Sequence, residues 1–159
     1  MIAPSRAATK GSGLLEIAHR KEALLDTRTK ITKLADWIIE PGEEWIVVAG
    51  VFDPVALDTA NAVMRHARPG AKLAVVVAEG LGTLLSREAR ANLFAALRAV
   101  DAVFIEDVDA VIDRAKRQGG RVTLRDERAG DRQRAENFSR FILRRQEAAK
   151  GEQAEKRSQ

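Results

Sequence analysis

Two uninterrupted apolar runs rich in β-branched residues, "WIVVAG" at 45–50 and "KLAVVVA" at 72–78, constrain this chain more than any other feature. A run without polar alternation suits a strand buried on both faces, and such strands belong to parallel sheets with helices above and below. The segment between the runs is too long for a hairpin and long enough for a crossover helix. Asp58 or Thr59 is placed to cap that helix, which would reach about Ala67 before "RPG" stops it.

The alternation continues. Ser86 is placed to cap "REARANLFAALRAV", with Leu93, Phe94 and Leu97 on one apolar stripe. "AVFI" at 102–105 reads as a third strand, residues 107–118 as a helix stopped by Gly119 and Gly120, and "RVTL" at 121–124 as a fourth strand. Ahead of the first run, residues 13–25 read as an amphipathic helix, and residues 32–39 as a second helix capped by Thr32 and ended by Pro41 and Gly42. After the last strand, residues 125–136 read as a charged loop and residues 137–149 as a closing helix, with Phe138, Phe141 and Ile142 docking on the sheet. The expected fold is therefore α/β: one Rossmann-like domain over 13–149, a parallel sheet of four or five strands, helices on both faces and right-handed crossovers. Residues 1–12 read as a flexible leader and 150–159 as a disordered charged tail.

Composition narrows the function classes. The chain has 159 residues, 45% of them apolar, which suits one domain with a core. It has no cysteine, so disulfides and thiolate metal sites are excluded, and two distant histidines make a zinc site unsupported. No apolar run approaches the roughly 20 residues that span a bilayer, so no membrane partner and a cytoplasmic location are expected. The net charge of +4 divides unevenly: residues 1–30 carry six basic and three acidic groups, 31–124 eleven and thirteen, and 125–159 ten and seven. The excess positive charge lies at the ends, which argues against a nucleic-acid face on the core.

The stretch "GVFDPVALDTANAVMRHARPGAKLAVVVAEG" resembles the opening of the nucleotidyltransferase (cytidylyltransferase-like) α/β superfamily, whose members show Gly-x-Phe-Asp followed by His-x-Gly-His. "SREARANLFAALRAVDAVFIED" resembles the family's arginine-bearing helix, with Arg90 at the arginine. "TRTKITKLADWII" is similar to the lead-in of the subgroup that adenylylates heptose phosphates or makes cytidylyl esters of glycerol phosphate. The resemblance implies ATP or CTP with magnesium as substrate, and a nucleotide or sugar phosphate as the bound partner. It implies binding residues Gly50, Phe52, Asp53, Thr59 and Arg90, with Ser139 in "ENFSRFI" at the family's late phosphate-contacting helix start.

The departures fall where the chemistry is. Ala56 stands at the first signature histidine, Asp58 at the glycine and Thr59 at the second histidine. Those imidazoles stabilise charge as the α-phosphate is attacked, and losing one such donor costs on the order of a hundredfold in rate. Nucleotidyl transfer is thus expected to be weak or lost and no catalytic residue is assigned, with nucleotide or sugar-phosphate binding retained. Lys116 and Arg125 are further candidate phosphate clamps beside Arg90. The alternative is a non-catalytic scaffold on the same fold, with residues 14–39 making homodimer contacts. Structural roles compete at each position: Asp53 and Thr59 can cap the turn, His66 can sit as a cation at its helix end, and Trp37 and Trp45 can fill the core or a subunit contact.

Overall fold

The computed structural model describes residues 26–157, with side chains described for residues 26–150. The leader and the amphipathic helix read over 13–25, His19 included, lie outside the described residues. Four strands form one wholly parallel sheet: β1 Glu44–Gly50, β2 Lys72–Val77, β3 Ala102–Phe104 and β4 Arg121–Asp126, in the order β3-β2-β1-β4. Helices α1 Leu57–Met64, α2 Arg87–Ala95 and α3 Val108–Arg117 connect them, and α4 Arg128–Arg157 closes the described chain. This is the Rossmann-like α/β arrangement, with four strands.

The β-branched runs work as strands because alternate residues serve two cores. Ile46, Val48, Leu73, Val75 and Val77 face α1 and α2, meeting Val63, Phe94 and Ala95. Trp45, Val47, Ala49, Ala74 and Val76 point the other way, toward α3 and the Trp37–Ile39 segment. Each large apolar side chain so buried contributes about 1.5–3 kcal/mol, which is why neither run tolerates polar alternation. Ser86 caps α2 as expected, accepting from the Ala89 amide at 3.1 Å, and Asp107 caps α3, accepting from the Asp109 amide at 2.9 Å.

Several expectations need correction. The helix read over 32–39 is absent; two short 3-10 turns, Thr27–Lys30 and Leu34–Asp36, precede an extended segment. Thr32 caps nothing there, its hydroxyl donating to the Lys30 carbonyl at 3.2 Å. Burial alternates along the extended segment, with Trp37 and Ile39 inside and Ile38 exposed. The Gln118 side chain fixes it, accepting from the Ile39 amide at 3.0 Å and donating to the Trp37 carbonyl at 2.9 Å. On α2, Leu93 faces solvent and the buried face is Arg90, Ala91, Phe94 and Ala95. Small alanines let that helix approach the sheet closely.

The supposed charged loop is mostly helix, since α4 begins at Arg128 and runs on to Arg157, across the boundary read for the charged tail. Phe138 is half-buried, but Phe141 and Ile142 face solvent. The central strands are covered on both faces by the other helices and Trp37–Ile39, and α4 meets the end of β1 and the side of α1. Among the described residues no helix is long and apolar enough to cross a membrane.

The Gln118 clamp is testable. Gln118→Ala is expected to cost about 2 kcal/mol by leaving two part-buried backbone groups unpaired, whereas Ile38→Ala should stay within roughly 0.5 kcal/mol. Urea unfolding of both variants measures the difference.

Candidate functional site

Strand order reverses between β1 and β4, and in open α/β sheets ligands gather outside the carboxyl ends of strands at such a switch point. Two segments converge there: the turn after β1, residues 50–59, and the β4–α4 junction with its first helical turn. Gly50 is required by close approach. A Cβ on it would lie 2.3 Å from Asp131 Oδ2 and 2.5 Å from the Phe52 ring. Phe52 sits fully buried with φ 55, in the left-handed region that non-glycine residues rarely adopt, and its ring packs on Phe94 at 4.7 Å.

Each polar group read as a binding residue at the turn has a partner within the chain. Asp53 accepts from the Leu84 amide and, at 3.3 Å, from the Leu85 amide, so it ties down the "EGLGTLL" loop. Gly80 in that loop is another close approach, since a Cβ would lie 2.5 Å from the Val51 side chain. Thr59 is buried and donates to the Pro54 carbonyl at 3.1 Å. Neither Thr59 nor Asp58 caps α1; Ala56 stands at the N-cap with no side-chain bond, and the helix ends at Met64.

Arg90 departs most from expectation. It is 1% exposed, and Nη1 donates to the carbonyls of Val51 and Ala78, the latter at 3.2 Å. Its guanidinium staples the loops that follow β1 and β2. Among the described residues no carboxylate lies within ion-pair distance of it, and its Nε has no partner. Ser139 does not open a helix. It is exposed in the interior of α4, about three turns past the first residue. Arg125 is exposed on the edge strand β4, and Lys116 lies in the last turn of α3, just before Gly119, whose carbonyl accepts from the Gly42 amide ahead of β1, at the other end of the strand from the turn.

The groups at the centre of the switch point are ones the sequence reading passed over. Asp131, 5% exposed, accepts from the Phe52 amide at 3.1 Å and from Arg134 Nη2 at 2.7 Å. Burial pushes its carboxyl above the ordinary value, against the lowering effect of Arg134 and of the Phe52 and Val51 amides. Next to it Glu127 accepts from Arg134 Nη2 at 2.9 Å, from Arg65 Nη2 at 3.4 Å, and meets His66 Nε2 at 2.9 Å. Burial raises the Glu127 carboxyl, but these partners outweigh it and hold the group below its usual 4.5. His66 thus faces a carboxylate across the α1–α4 seam, beyond the helix-end role read for it. The Asp131-x-x-Arg134 spacing was visible in the sequence, but only a helix makes it a pair.

A cavity of about 370 Å³ opens between the start of α1 and α4, lined by Ala56, Asp58, Thr59, Arg134, Phe138 and Phe141 among others. A second, of about 500 Å³, lies over the turn beside Asp53, Gly82, Arg128 and Arg132. Among the described residues no group of three or more His, Asp or Glu is placed to hold a metal. Comparison with family models, with curated proteins and with solved structures gives no match, so the likeness to nucleotidyltransferases rests on the motif residues alone.

Two outcomes follow. Arg90→Met leaves the Val51 and Ala78 carbonyls without their buried donor and is expected to cost about 2–4 kcal/mol in urea unfolding. Because the folded Glu127 carboxyl lies below 4.5, its stabilisation is full above that pH and is lost as pH falls through the folded value. Glu127→Gln should therefore be less stable than the parent at pH 7, and the gap should narrow as the parent's urea midpoint falls on acidification below 4.5.

Proposed function

We propose that this chain is a catalytically silent α/β module on a nucleotidyltransferase-like scaffold, and that it works by contact with another protein. One observation carries the reading: the polar groups of the turn that would meet a nucleotide are bonded within the chain. Asp53 holds two loop amides, Thr59 a carbonyl, Arg90 two carbonyls, and the Phe52 amide is taken by Asp131. With Ala56, Asp58 and Thr59 at the signature positions, no side chain there is free to act as the family's imidazoles act.

Contact is supported by exposed apolar side chains on α1 and α4. Leu57 at the start of α1 is 73% exposed, and Phe141 and Leu143 on α4 are 56% and 57% exposed. Leu57 and Phe141 line the same cavity between α1 and α4, and adjoining exposed apolar groups mark interaction surfaces. A homodimer through α4 is one form that such contact takes.

A second reading, retained nucleotide or sugar-phosphate binding, is favoured by the cavity beside α1. Its volume of about 370 Å³ falls within the range of small-molecule sites, and it joins the uncapped start of α1 to Arg134 and two phenylalanines. ATP or CTP with magnesium would be its ligand. Thermal unfolding separates the two. The silent-module reading expects the Tm to stay unchanged in millimolar ATP or CTP with magnesium, whereas a bound nucleotide at a hundredfold over Kd would raise it by about 5 °C or more.

A further inference from the structure

The concavity that Asp131 fills has the geometry of an oxyanion site. Phe52 holds φ 55, a left-handed conformation of the kind that turns successive N–H groups toward one point. The Phe52 amide donates to Asp131 Oδ2 at 3.1 Å. Gly50 leaves room for the same oxygen, since its missing Cβ would stand 2.3 Å away. Arg134 brings a guanidinium to the other carboxylate oxygen at 2.7 Å, and Arg90 donates to the Val51 carbonyl from beneath the same turn. An amide, a cation and space are thus arranged around one buried negative centre, and that centre is delivered by the first turns of α4.

We propose that Asp131 is an autoinhibitory internal ligand, its carboxylate occupying an oxyanion nest at residues 50–52 and excluding external oxyanions of the phosphate class. The contact is intramolecular, so the carboxylate is present at a high effective concentration, and a free oxyanion must displace it to enter. Removing the carboxylate while keeping the backbone leaves the Phe52 amide and Arg134 facing an empty position of the right charge. An asparagine at 131 keeps an oxygen that can accept from the Phe52 amide, so it leaves the nest occupied.

This rests on the reading of the turn as closed, and the test separates the two. Tm is measured for the parent, Asp131→Ala and Asp131→Asn in inorganic phosphate against chloride at matched ionic strength. The expected result is a rise of about 5 °C for Asp131→Ala when phosphate is a hundredfold over its Kd, with parent and Asp131→Asn unmoved. A folded Asp131→Ala that gives no phosphate-dependent rise overturns the internal-ligand proposal while leaving the closed turn standing. A rise in the parent equal to that in Asp131→Ala overturns both. Should Asp131→Ala be unfolded in chloride, phosphate is titrated while far-UV circular dichroism is followed. Recovery of helix supports the proposal and a chain that stays unfolded at saturating phosphate overturns it.

Discussion

A carboxylate pressed against the backbone at the end of the central strand joins the halves of this molecule. Asp131 reaches the Phe52 amide from α4, and the contact is possible only because Gly50 has no side chain to block it. Much else is arranged around that point. Phe52 adopts a left-handed backbone that sends its ring into the core against Phe94, and Arg134 neutralises Asp131 while bridging to Glu127. A buried carboxylate is tolerable only when its oxygens are bonded and its charge is paired, and both conditions are met here by the Phe52 amide of the turn and by Arg134 of α4.

The sheet was legible in the sequence because its signal is local. A strand buried on both faces needs an unbroken apolar run, and β1 and β2 each have one, so their limits could be read to within a residue. Capping was legible where an oxygen-bearing side chain precedes a helix by the right offset, as at Ser86. The Trp37–Ile39 segment was not, because its conformation is decided by Gln118, 79 residues or more further along the chain, and an apolar quartet without that partner is equally consistent with a helix.

The candidate site was half legible for a related reason. Gly50, Phe52 and Asp53 stand where the reading put them, at the end of the central strand. Its other partners, Asp131, Arg134 and Glu127, belong to a helix start whose buried group is an acid, so no apolar periodicity announces it. Arg90 was misjudged for the opposite reason. It lies on the face that Ala91, Phe94 and Ala95 bury, but an arginine among alanines reads as surface unless the carbonyls it must satisfy are known.

Charge at the switch point is distributed so that each kind of backbone group meets its complement. The loops leaving β1 and β2 end in carbonyls that need donors, and Arg90 supplies them; the turn after β1 exposes an amide that needs an acceptor, and Asp131 supplies it. In an open site of this architecture a bound anion serves the amides, and the protein is completed by its ligand. Here the same backbone is completed by two of its own side chains, one from α2 and one from α4. The strand-turn-helix unit can then stand without an imidazole or a ligand at the turn, because its hydrogen bonds are made within the chain.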